Sequence, residues 1–251
     1  MDNDEIKNLK GYYYYKKMPD NQTEWNQFKE LYKYMKLDYF FALLFCNKFY
    51  VNSRNKFDDK NEKCLPLIET FGFLPVGIEV SKEQIKDNYK LGENRREKYK
   101  DLGFLPTSCW TYNENESNLM WSAYTSEFGV RIKTNINVFL DNLNYNGYEV
   151  YCGFMRYHGY MSNKECEDDL FSKTSLYSDE KEFRFYFLPI NEEKENRVRK
   201  EGYVKLDISN VCNMITEVSL SLSIRNNHEI RKFVERVCDY YHIKVRSPRF
   251  Y

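Results

Sequence analysis

Residues 181–188 read Lys-Glu-Phe-Arg-Phe-Tyr-Phe-Leu. Alternation with a period of two sends Phe183, Phe185 and Phe187 to one face of a strand and Glu182, Arg184 and Tyr186 to the other. Three rings in a row on one side require a hydrophobic core beneath them, so the chain must build a sheet with a buried face. Glu180, two residues earlier, extends the polar set. Two carboxylates and a guanidinium on one face, about 7 Å apart from one to the next, suit the binding of a hydroxyl and the stabilisation of a developing cation. The guanidinium would keep both acids ionised. The alternative is an ordinary solvated strand face.

The rest of the chain reads as a mixture of strands and helices. Trp25, Phe28 and Leu31 recur at helix spacing, and Leu31–Tyr34 follows as a short strand. Asp38 is expected to cap a buried helix through Phe45, with a strand at Lys48–Ser53 after it. Ser81 opens a charged amphipathic helix to about Asp101. Strands are expected at Leu105–Tyr112 and Tyr148–Tyr157. A half-buried strand carries Phe128, Val130 and Ile132 inward and Gly129, Arg131 and Lys133 outward. Ser117 starts a short helix with Met120, Trp121 and Tyr124. A charged loop at 191–201 joins the 181–188 strand to Tyr203–Leu206 as a long hairpin. Asn227 caps a final helix presenting Ile230, Phe233, Val234, Val237 and Tyr241 on one side, and Ile243–Arg246 closes the sheet. The expected class is α+β in one domain, 1–251, with residues 1–29 as a helical extension.

Composition narrows the function. With 38 basic and 38 acidic side chains the net charge is zero, which argues against a broad face for duplex nucleic acid. No apolar stretch is long enough to span a bilayer and the start resembles no signal peptide, so a soluble cytoplasmic protein without membrane contact is expected. Seven cysteines without C-x-x-C spacing and three scattered histidines argue against a disulfide framework or a metal site. The 23 tyrosines and 18 phenylalanines are spread along the whole chain and read mainly as core-forming rings.

Three further clusters are candidates for a site. Asn52-Ser53-Arg54-Asn55-Lys56-Phe57-Asp58-Asp59, with Glu62 beyond, is a polar turn after an apolar strand, which suits a pocket rim or a plain connection. Thr107–Thr111 with Met120-Trp121 and Tyr124 is core or a stacking platform. Tyr32-Lys33-Tyr34 places a lysine between two rings.

Taken in order, these pieces resemble a bacterial family known as domain-of-unknown-function family 2971. The match runs from Leu31–Tyr34 through the Phe57–Glu62 turn, Ser108-Cys109, Met120-Trp121 with Tyr124, and Gly129-Val130. It continues to Lys173, Tyr177, Glu180, Glu182, Phe183 and Arg184, then to Ile215–Val218, and covers roughly residues 30–246. The turn lacks the family's asparagine and proline, Tyr177 stands for a tryptophan, and the glycine after Val218 is missing. More distantly the layout looks like ADP-ribosyltransferases, although no arginine-first or histidine-first strand and no clear serine-threonine-serine strand is present.

That resemblance implies a mixed or antiparallel split sheet flanked by helices, with NAD as substrate lying across the split. Glu182 would be the catalytic acid, Glu180 its helper and Arg184 the residue that orients both. Lys33 and Arg54 would serve the pyrophosphate, Tyr34 or Trp121 would stack on nicotinamide, and Ser53 or Ser108 would supply the serine. It implies an intracellular effector, a toxin or phage-defence protein, modifying an unidentified protein or nucleic-acid acceptor and held in check by a regulatory protein partner. The competing readings are a non-catalytic module that binds a nucleotide or a protein, and a Mg²⁺-dependent nuclease using Asp58, Asp59, Glu62 and Glu180.

Overall fold

The structure, a computed structural model, describes residues 13–14, 30–57, 102–125, 127–158 and 171–246. Apart from Tyr13–Tyr14, which form a strand and not a helix, the extension 1–29 lies outside them, as do the Phe57–Glu62 turn beyond Phe57 with its three acids and the Ser81–Asp101 helix. After the two-residue strand β1 (Tyr13–Tyr14) comes β2 (Glu30–Lys36), which sends Leu31 and Met35 to the core. Helix α1 (Leu37–Cys46) follows at once, and Asn47, at φ 49°, ends it in the left-handed region and turns the chain into β3 (Lys48–Asn52). Then come β4 (Thr107–Thr111) and α2 (Asn118–Tyr124), whose N-cap Ser117 accepts from the Met120 amide. Next are β5 (Gly129–Asn135), α3 (Ile136–Asp141), β6 (Leu143–Asn144), β7 (Tyr148–Phe154), β8 (Arg156–His158) and β9 (Ser172–Thr174). A 3₁₀ turn, Ser175–Glu180, delivers the chain to β10 (Glu182–Pro189). The last elements are α4 (Glu192–Glu201), β11 (Tyr203–Ile208), α5 (Val211–Met214), β12 (Glu217–Leu220), α6 (Leu222–Asn226), α7 (His228–Tyr240) and β13 (Lys244–Val245).

The architecture is α+β with a mixed main sheet. Its strand order is β1-β7-β10-β4-β2-β5-β12-β13, antiparallel throughout except for the edge pair β12–β13. A second antiparallel sheet has the order β3-β11-β6. The two meet where Ser53 bridges Pro106 and the Arg54 amide donates to the Leu105 carbonyl at 3.3 Å. Phe183, Phe185 and Phe187 are fully buried and Trp110 nearly so. Phe139 from α3 lies 4.8 Å from the Trp110 ring and 4.9 Å from Phe185, and Phe49 of the second sheet lies 5.2 Å from Phe139. Each such ring contributes about 1.5–3 kcal/mol by burial, so this aromatic cluster fastens the sheets together. Among the described residues no helix is long and apolar enough to cross a membrane.

Several expectations are corrected. The 191–201 stretch is not a loop but α4, because Asn191 caps it through the Lys194 amide, acids fill its first turn and Gly202 ends it. β10 and β11 consequently form no hairpin and belong to different sheets. Asp38 does not cap α1; Lys36 holds the N-cap position, and the Asp38 carboxylate accepts from the Tyr39 amide within the first turn. Tyr148–Tyr157 is broken after Phe154, and Arg156–His158 pairs with β9 instead. Strand β5 is not half-solvated, since Arg131 is 1% exposed. Its guanidinium lies 3.8 Å from the Tyr32 ring centroid and donates to the Asn113 and Glu114 carbonyls, so a loop and two rings cover the face left to water by the pattern. On α7, Val234 and Cys238 are buried while Phe233 stays half exposed. β13, shorter than expected, ends the main sheet as a parallel edge strand.

Candidate functional site

Strands β2 and β4 are neighbours, yet they pair only at Tyr32 and Thr111. Beside this seam opens a cleft of about 720 Å³, within the ordinary range for a small-molecule site. β2 and β4 line it, together with α1, β3, α2 and the Ser175–Glu180 turn. Lys33, on the core-facing side of β2, reaches across and donates to the Cys109 carbonyl at 2.9 Å.

The floor is an ionic quartet. Arg184 grips Glu182 with two bonds, Nε to Oε1 at 2.5 Å and Nη2 to Oε2 at 2.9 Å. Lys173 donates to Glu180 Oε2 at 2.6 Å and approaches Glu182 Oε2 at 3.4 Å, so one ammonium serves both acids. Tyr124 of α2 contacts Glu180 Oε1 at 3.5 Å, and Arg184 Nη1 donates to the Tyr186 hydroxyl at 3.3 Å. The quartet is not a solvated face: Glu180, Glu182 and Arg184 are 8, 3 and 1% exposed. Glu180 is also not on the strand. It ends the 3₁₀ turn, where the Thr111 hydroxyl holds its carbonyl at 2.7 Å, and Lys181 follows at φ 45°. This kink, strained for a non-glycine residue, aims Glu180 at the same ammonium as Glu182.

Burial alone would raise the Glu182 pKa, but the Arg184 guanidinium and the Lys173 ammonium outweigh it and hold the pKa at about 2. Glu182 is therefore an anion at neutral pH and cannot act as a proton donor there. It can accept a hydrogen bond or stabilise a positive charge that forms beside it. Burial holds the Tyr124 and Tyr157 phenols protonated, and the Tyr157 oxygen accepts from the Glu182 amide at 2.8 Å, fixing the start of β10. Lysines 36, 48 and 56 and Tyr39, Tyr50 and Tyr203 also line it. Lys48 pairs with Asp207, and Lys56 lies against Gly202, where a Cβ would come within 2.3 Å of its Cε.

Of the residues expected at a site, Glu180, Glu182, Arg184, Lys33 and Tyr34 are brought to this cleft together with Ser108. Ser53, Arg54 and Trp121 are not among its lining residues. Ser53 is fully buried at the bridge to Pro106. Arg54 sits in the 3₁₀ turn Arg54–Lys56. Trp121 turns its ring edge to Tyr34 at 4.8 Å and its Nε1 to Glu116 at 3.2 Å, leaving Met120, Ala123 and Tyr124 to face the cleft. Lys173 belongs to the quartet although the sequence reading assigned it no role; its signal is a lysine one turn and a strand-start upstream of two acids. Compared with protein-family models, with curated proteins and with solved structures, the chain matches none significantly.

Proposed function

We propose that the cleft takes NAD and that the chain is an ADP-ribosyltransferase-like effector, transferring ADP-ribose to a protein or nucleic-acid acceptor. The observation that carries this reading is the pair of buried, cation-braced carboxylates on the floor of a cleft of about 720 Å³ whose lining includes Lys36, Lys48 and Lys56. Breaking the nicotinamide–ribose bond sends the bonding electron pair to neutral nicotinamide and leaves positive charge on the anomeric carbon. Glu182, ionised and fixed by Arg184, is suited to stabilise that charge, with Glu180 accepting from a ribose hydroxyl. The nucleophile then adds to the anomeric carbon and loses its proton. Lysines 36, 48 and 56 supply the cations that a pyrophosphate needs, and the one-pair seam supports a split sheet of the expected kind.

The test is nicotinamide release from NAD by the purified chain, alone and with cell lysate. A Glu182→Gln variant should lose about 100-fold or more of the rate. A second reading, a binding module without turnover, is favoured by the bidentate grip of Arg184 on both Glu182 oxygens. NAD bound equally by both proteins, with no nicotinamide released by either, would establish that module and end the transferase reading.

A further inference from the structure

The two lysines on the cleft floor stand in opposite environments. Lys173 touches two carboxylates and carries a charge. Lys33 makes no ion pair among the described residues. By alternation it shares a face of β2 with Leu31 and Met35, its Nζ lies over the Trp110 ring at 5.6 Å from the centroid, and its one hydrogen bond among the described residues runs to a backbone carbonyl, that of Cys109. A neutral amine satisfies that carbonyl with one N–H and keeps its lone pair. Burial lowers the Lys33 pKa, and the Cys109 thiol and Glu182, which raise it, do not overcome that effect. Desolvated lysines of this kind are nucleophiles towards carbonyl carbon.

We propose that Lys33 is a nucleophilic amine that captures an aldehyde in this cleft as an imine, and that its ligand class is a phosphorylated aldose. The Lys33 nitrogen attacks the carbonyl carbon and forms the C–N bond, while the carbonyl π pair moves to oxygen, which is protonated. The amine gives up its two protons, which leave with the former carbonyl oxygen as water when the carbinolamine collapses to the C=N bond, so no oxidant or reductant is needed. Tyr124, whose phenol burial keeps protonated, lines the same cleft and is a hydrogen-bond donor for that oxygen. Lys36 and Lys56, both exposed and both lining the cleft, take the phosphate. This role is independent of whether nicotinamide is ever the leaving group.

The full chain is incubated with ribose 5-phosphate and cyanoborohydride, which reduces an imine to a stable amine, and the adduct is mapped by peptide mass. Burial leaves more of the Lys33 amine neutral than a solvated lysine's, so the adduct should map predominantly to Lys33, ahead of every other lysine. Lys33→Arg, which can still donate to the Cys109 carbonyl but carries no nucleophilic amine, should abolish the adduct, whereas Glu182→Gln should retain it. Labelling spread evenly over surface lysines, or unchanged in Lys33→Arg, overturns the proposal. So does equal labelling by unphosphorylated ribose, for the ligand class. Should Lys33→Arg not fold, the site map on the natural chain decides. Loss of nicotinamide release with the adduct intact would defeat only the NAD reading.

Discussion

Glu182 and Arg184 stand two residues apart on one strand face and are almost wholly withdrawn from water. Desolvating each ion costs several kcal/mol, and apolar residues of the same size would often serve stability as well or better. A buried, cation-braced pair that opens on a cleft marks this position as the candidate site. It also makes a signed prediction. The folded pKa of Glu182 is depressed from 4.5 to about 2. Its contribution, on the order of 3 kcal/mol, is complete above the unfolded carboxylate's value near 4.5 and is lost as pH falls through about 2. Urea unfolding of the natural chain from pH 6 to pH 2 should show this loss, and Glu182→Gln should not. Parallel pH profiles for the two proteins would sink the assignment. At this scale Glu182 and Arg184 were readable from alternation, whereas Glu180 joins them through the 3₁₀ turn and the kink at Lys181 rather than along the strand. The burial of all three was not readable, because whether a polar strand face meets water depends on what covers it. Here the cover is α2 and β9, which reach Glu180 through Tyr124 and Lys173, 56 and 7 residues away in sequence.

Among the elements, α4 shows what local signals carry. Asn191, the acids of the first turn, Arg199 and Lys200 in the last, and Gly202 at the end are all visible in the sequence. Charge density disguised them as a loop, since Val198 is the helix's one buried residue. What no local signal reveals is that β11 leaves β10 and joins β3, a choice made by packing between sheets. Two substitutions separate the helix from the site. Asn191→Ala removes the cap and should cost about 1 kcal/mol without altering NAD affinity. Gly202→Ala places a Cβ at φ 74° and against Lys56, so it should cost about 1 kcal/mol or more and also weaken NAD binding as Lys56 is displaced. Urea midpoints and calorimetric titration measure both. Equal NAD affinity in the two variants would remove Lys56 from the ligand site.

At the scale of the whole molecule, the main sheet is two well-paired halves joined at one residue pair. β10 pairs with β4 from Glu182 to Tyr186, and β2 pairs with β5 along all of Glu30–Lys36, whereas β2 meets β4 only at Tyr32 and Thr111. The aromatic cluster beneath, not strand hydrogen bonding, keeps the halves in register there. Such a seam is where local opening costs least, and a ligand that spans it should oppose that opening. At about 100 times its dissociation constant, a ligand bound only to the closed form stabilises it by about 2.7 kcal/mol, or roughly 100-fold in the opening equilibrium. Hydrogen exchange with saturating NAD should therefore slow by up to that factor at residues 33–35 and 108–110. The strands of the second sheet that stand away from the seam, β6 and the far end of β11, should change little. Protection distributed evenly over both sheets would mean that NAD stabilises the fold from elsewhere. Protection confined to the seam, in Glu182→Gln as well as the natural chain, would place the ligand across the two halves whether or not the bond is broken.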